Sequence, residues 1–94
     1  PQLIHRGRTE IIADILGALT QGEATTTEMM YGTYLTFDQA SSYLRYMVER
    51  DLVSLDAGTK LYAITKKGAE LLDISEGVAN LAAMAPFDKI GASF

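Results

Sequence analysis

Ninety-four residues and 10.2 kDa are enough for one compact domain with at most one appended element. Hydrophobic residues make up 48% and charged residues 21%, the balance of a folded globular chain. The net charge of −4 argues against a basic, non-specific nucleic-acid coat. The absence of cysteine excludes disulfides, thiol nucleophiles and Cys-ligated zinc. The single histidine, His5, excludes a multi-histidine metal site and a Ser–His pair of recognisable form.

Apolar residues Ile11, Ile12, Ile15, Leu16 and Leu19 recur at helical spacing and predict a first helix from Arg8 to about Thr20. Gln21-Gly22 supplies its stop, with Gly22 expected as a left-handed C-cap. Thr25-Thr26-Thr27-Glu28 is an N-cap cluster for a short second helix ending near Gly32 or Thr33. Thr36 followed three residues later by Gln39 is a capping-box pattern that opens a third helix from Phe37 to about Asp51.

Stepping by about 100° per residue from Leu44 places Phe37, Ala40, Met47 and Val48 on the buried side of the third helix. Gln39, Ser42, Tyr46 and Glu49 fall on the opposite face. Tyr43 and Arg50 sit on one shoulder, Asp38 and Arg45 on the other. Tyr31, Tyr34, Tyr43, Tyr46 and Tyr62 are expected in the core or at its rim, and Met29, Met30 and Met47 as core filling.

Leu52-Val53-Ser54-Leu55 and Leu61-Tyr62-Ala63-Ile64 read as two strands of a hairpin around the turn residues Asp56-Ala57-Gly58-Thr59. Thr65 caps a fourth helix that begins at Lys66. Along it Leu71, Ile74, Val78, Leu81 and Ala85 are spaced 3, 4, 3 and 4, the pattern of a coiled-coil seam, before Pro86 ends the helix. The expected fold is mainly α with a small β-hairpin (α+β): a winged helix-turn-helix plus a C-terminal dimerisation helix. The expected division is a head over residues 1–67, the C-terminal helix over 68–85 and a tail over 86–94. So small a head cannot cover the apolar edge of that helix, which makes a homodimer the physical expectation.

The runs Glu10-Ile11-Ile12-Ala13-Asp14-Ile15-Leu16, Leu35-Thr36-Phe37-Asp38-Gln39 and Tyr43-Leu44 resemble the archaeal winged-helix predicted transcriptional regulators, as do Leu52-Val53 and Tyr62-Ala63-Ile64-Thr65-Lys66-Lys67-Gly68. The likeness spans about Arg6 to Asp73. It implies a small DNA-binding protein, some relatives of which pair through an antiparallel coiled coil of the last helix. Two features depart from that pattern. Asp51 stands where such proteins often carry a turn glycine, which predicts a longer third helix or a strained end, and the last helix is shorter and richer in alanine than a long coiled-coil arm.

The expected function is therefore a homodimeric DNA-binding transcriptional regulator whose third helix reads the major groove of double-stranded DNA. Gln39, Ser42, Tyr43 and Tyr46 are the candidate reading groups, with Arg45 and Arg50 on phosphates. Lys60 in the hairpin and Arg6 and Arg8 in the lead-in complete the candidate DNA contacts. The bland alternative is a solvated helix face with Arg45 paired to Glu49 or Asp38. A competing function is a winged-helix module that binds protein and not DNA, which the net acidity and Glu49 favour. No phosphate-binding glycine loop, nucleophile elbow or metal-spaced cluster points to an enzyme or a cofactor. No apolar run reaches the length of a membrane span, and a cysteine-free chain without an export signal is expected in the cytoplasm. The acidity is uneven: residues 1–67 hold 7 basic and 8 acidic groups, so most of the excess lies in the last helix and tail.

Overall fold

The computed structural model describes residues 6–83, with side chains described as far as residue 77. Four helices and a two-stranded antiparallel hairpin follow one another as α1 (Arg8–Leu19), α2 (Thr26–Thr33), α3 (Phe37–Glu49), β1 (Val53–Asp56), β2 (Leu61–Ile64) and α4 (Lys66–Ala83). This is the winged-helix order. Among the described residues, no helix is long and apolar enough to cross a membrane.

α1 buries Ile11, Ile15, Leu16 and Leu19, the predicted stripe. Its first free amide donors are partly satisfied by Glu10, whose Oε1 accepts from the Gly7 N–H at 2.7 Å. The helix ends in right-handed geometry at Thr20, whose hydroxyl donates to the Gly17 carbonyl at 2.6 Å. Gly22 is thus not the left-handed C-cap expected of it. At φ 142° it sits beyond the cap, in a region that only glycine enters readily, and turns the chain toward α2.

Reciprocal capping boxes open the next two helices. The Glu28 N–H donates to Thr25 Oγ1 at 3.2 Å while Thr25 N–H donates to Glu28 Oε1 at 2.8 Å. The Gln39 N–H donates to Thr36 Oγ1 at 3.1 Å and Thr36 N–H to Gln39 Oε1 at 3.0 Å. Between them Tyr34 takes the left-handed conformation, φ 59° and ψ 38°, and makes the tight turn of the helix-turn-helix. Thr33 is the one buried polar residue among the described residues, and its hydroxyl is satisfied by the Met29 carbonyl at 2.6 Å.

α3 buries Ala40, Leu44 and Met47, with Tyr43 and Val48 half-buried against the same core. Phe37 does not join them: it is 52% exposed. It is the first residue of the helix, so the stripe runs past the end of the layer it packs against. The helix stops at Glu49 rather than near Asp51, and Asp51 itself is left-handed at φ 62°. Its departure from the usual glycine therefore produces a strained end and not a longer helix, at a cost that a short polar side chain moderates. Asp51 N–H donates to Val48 O at 3.0 Å and Leu52 N–H to Met47 O at 2.9 Å, closing the last turn.

The hairpin pairs Val53 with Ile64 and Asp56 with Leu61. At its tip Asp56 Oδ1 accepts from Gly58 N–H at 2.8 Å, and the Lys60 N–H donates to the Asp56 carbonyl at 2.7 Å, with Lys60 left-handed at φ 63°. The other edge of β2 carries an unpredicted third partner. Ala24, between α1 and α2, exchanges two backbone hydrogen bonds with Tyr62, at 3.0 and 2.8 Å. That bridge ties the wing to the helical core.

α4 starts on a three-way latch. Thr65 Oγ1 accepts from Gly68 N–H at 3.0 Å and donates to the Asp51 carbonyl at 2.6 Å, while Thr65 N–H donates to the Leu52 carbonyl at 3.2 Å. The first turn of α4 is thereby held against the end of α3. Among the described side chains of α4, Leu72 enters the hydrophobic core, with Leu71 half-buried beside it. Ile74 is 64% exposed. The expected seam positions Val78, Leu81 and Ala85, the tail 86–94 and His5 lie outside the described side chains.

Candidate functional site

The capping box at Thr36 fixes where α3 begins, and the burial of Ala40, Leu44 and Met47 fixes its rotation. Together they determine what the helix shows to solvent. Gln39, Ser42, Arg45, Tyr46, Glu49 and Arg50 are all exposed, and Tyr43 is half-buried at the edge of the same surface. The candidate residues of α3 therefore lie on one continuous face.

Two features of this face bear on its chemistry. The Arg50 guanidinium lies over the Tyr46 ring, 3.7 Å from its centroid, so a cation–π contact one helical turn apart orders both side chains. The (i, i+4) Tyr–Arg spacing was present in the sequence as the signal for this pair. The pairing of Arg45 with Glu49 or Asp38 does not occur: among the described residues the one ion pair joins Arg6 to Asp14 at 2.8 Å. Arg45 and Arg50 thus have no carboxylate within ion-pair distance among the described residues. Gln39 has one of its groups committed, since Oε1 caps the Thr36 N–H, and its amide NH₂ remains a donor.

Further exposed cations stand on the elements that follow and precede α3. Thr65 brings exposed Lys66 and Lys67 next to the end of α3, where Arg50 stands. Lysines at a helix start oppose the helix dipole, and here the latch at Thr65 sets their position. Lys60 is exposed at the wing tip, while the neighbouring Asp56 carboxylate is turned into the hairpin by the Gly58 and Thr59 amides, at 2.8 and 3.3 Å. Arg8 is exposed on the first turn of α1. There Arg8, Thr9 and Ile12 face Ser42, Tyr43 and Tyr46 of α3 across a groove of about 470 Å³. Thr9 was not among the residues singled out from the sequence; its place one turn before Ile12 on α1 is the only sequence signal for it.

The candidate arginines of the lead-in part company. Arg6 is turned to Asp14 on the side of α1 that meets the end of α2, in a shallow depression lined also by Gly32, Thr33 and Tyr34. Arg8 is turned to α3. The aromatic residues also separate. Tyr43 and Tyr62 pack at the core rim as expected, but Tyr31 and Tyr34 are 72% and 90% exposed. They lie near the tight α2–α3 turn, where the short helix buries only Met29 and Thr33 and leaves no core surface for large rings.

A family model described as winged helix-turn-helix matches residues 5–83. Among solved structures the chain is similar to Sso10a-2, described as a DNA-binding protein from Sulfolobus solfataricus. The two share 27% identity over 94% of each chain, with a TM-score of 0.72. The wild-type ZitR of Lactococcus lactis superposes with a TM-score of 0.67 at 13% identity, over 99% of this chain and 64% of that one, a likeness of fold. No curated protein matches the chain.

Proposed function

Since the chain belongs to the winged helix-turn-helix family, we propose that it is a DNA-binding transcriptional regulator that acts as a homodimer, with α3 entering the major groove. The observation that carries this reading is the outward face of α3. Its Gln39 amide, Ser42 hydroxyl and Tyr46 hydroxyl are donors of a size and reach suited to base edges, and Arg45 and Arg50 have no carboxylate partner among the described residues. The likeness to a DNA-binding protein from Sulfolobus solfataricus points the same way.

In this reading Arg45 and Arg50 contact phosphates and set the docking angle, and Lys60 approaches the backbone from the wing. Lys66 and Lys67 extend the phosphate contact past the end of α3. Glu49 on the same face repels the backbone and favours a selective site over indiscriminate binding.

The dimer uses α4. Leu72 is spent on the head, whereas Ile74 lies about 160° round the helix from it and is exposed. Ile74 begins the apolar series Val78, Leu81 and Ala85. A second chain covering that series places two α3 helices on a palindromic site.

The test is selection of bound fragments from random duplex DNA with the purified chain, coupled to sedimentation equilibrium. A recurrent, roughly palindromic sequence and a mass of two chains are expected. Failure to bind any duplex at low salt transfers the weight to a protein-binding module, the reading favoured by exposed Tyr31, Tyr34 and Phe37.

A further inference from the structure

The groove between α1 and α3 includes three residues of α1, Arg8, Thr9 and Ile12, that the reading of bases leaves unused. It is lined by the apolar Ile12 and the aromatic Tyr43 and Tyr46, together with the charged Arg8 and the hydroxyl-bearing Thr9 and Ser42. It is continuous with the outward face of α3, because Ser42 and Tyr46 belong to both.

We propose that this groove seats one phosphodiester and its adjoining sugar, from the DNA strand that borders the α3 contact, with Arg8 as the charged ligand. This rests on the DNA-binding reading above and adds α1 to the interface. A planar guanidinium presents parallel donors that match two phosphate oxygens, and flanking hydroxyls supply further donors. The apolar sides of Tyr43, Tyr46 and Ile12 suit a deoxyribose, which has few polar groups on its carbon face.

Two contacts elsewhere on α1 sharpen the assignment to Arg8. Arg6, two residues earlier, has the same charge but is held by Asp14 at 2.8 Å and faces the end of α2. Arg8 has no carboxylate within ion-pair distance among the described residues. Glu10, the acidic residue nearest to it in sequence, is turned back to the Gly7 N–H at 2.7 Å. The neighbouring arginines therefore provide an internal comparison: equal charge, different direction.

A phosphate contact changes affinity and salt dependence but carries no sequence information. The experiment is fluorescence anisotropy of a labelled duplex taken from the selection and of a scrambled duplex, over a series of salt concentrations. It compares the wild type with Arg8→Ala, Arg8→Lys, Arg6→Ala and Thr9→Val, each checked for an unchanged thermal melt. Arg8→Ala is expected to bind both duplexes roughly tenfold more weakly for each Arg8 lost, about a hundredfold for the dimer. The slope of log affinity against log salt is expected to fall by about 2, one for each Arg8 of the dimer, with the ratio between duplexes unchanged. Arg8→Lys keeps the slope and loses part of the affinity, Thr9→Val loses affinity at constant slope, and Arg6→Ala matches the wild type. An unchanged slope in Arg8→Ala, or an equal fall in Arg6→Ala, overturns the assignment while leaving the α3 reading intact. A wild type that binds neither duplex overturns the functional reading itself.

Discussion

Replacing Gly68 with alanine sets two physical effects against each other, and the structure decides which wins. Gly68 is the third residue of α4 and is buried. As a helical position it would gain about 1 kcal/mol from the better propensity of alanine. A Cβ there, however, overlaps the Leu52 carbonyl oxygen and lies 3.1 Å from both Ile64 Cγ1 and Leu16 Cδ2. The obstructing atom is backbone, fixed by its bond from Thr65 N–H, so it cannot rotate away. Relief requires α4 to lift from the start of β1, which stretches the Thr65 bonds to the Asp51 and Leu52 carbonyls. Overpacking costs about 1–3 kcal/mol, and each hydrogen bond lost costs about 1 kcal/mol. Set against the propensity gain, Gly68→Ala should destabilise the protein by about 2–4 kcal/mol. Gly17→Ala is the control: a Cβ at this helical glycine meets nothing within 4 Å, and the change should stabilise by up to about 1 kcal/mol. Urea unfolding at a fixed protein concentration measures both, and the Gly68 variant should also melt roughly 10–20 °C lower. A Gly68→Ala protein as stable as the wild type would refute the account of the α4 latch.

Three further outcomes follow from local geometry. Tyr34→Gly should stabilise by about 0.5–1 kcal/mol in the same urea assay, because the left-handed conformation costs a tyrosine more than the added chain entropy costs glycine; destabilisation would show that the exposed ring contributes to the fold. Thr36→Ala should cost about 1 kcal/mol through loss of the capping box that starts α3, and an unchanged urea midpoint would mean that packing alone sets that start. Ile74→Asp should leave the thermal melt of dilute monomer unchanged but halve the mass found by sedimentation; a mass that stays at two chains would remove Ile74 from the dimer contact.

The parts of this architecture that were legible in the sequence are those set by short-range chemistry. The Thr36–Gln39 and Thr25–Glu28 boxes open helices where their spacing says they should, because cap and amide are neighbours along the chain. The phase of α3 follows from Ala40, Leu44 and Met47, and with it the exposure of Gln39, Ser42 and Tyr46. What the sequence hid is set by where an element meets its neighbours. Phe37 fits the periodic stripe but begins the helix, beyond the packed layer. Ala24 carries no strand signal because a single residue forms the bridge to Tyr62. The 3–4 spacing in α4 drew attention to Leu71 and Ile74, yet the head takes Leu72, one turn after the close approach at Gly68. The different surroundings of Arg6 and Arg8 likewise depend on what packs beside each side of α1, the end of α2 next to Asp14 and α3 next to Arg8.

The central claim is that the outward face of α3 is the DNA contact, and it is tested most directly by the affinity of the Arg45→Ala/Arg50→Ala double variant for the selected duplex. Both side chains are exposed, and their only described contact is the stacking of Arg50 on Tyr46, so the fold should survive their loss. Anisotropy titration should show binding at least about tenfold weaker, with the salt slope reduced by about 4, for two arginines in each chain of the dimer. Wild-type affinity and slope in the double variant would contradict the account.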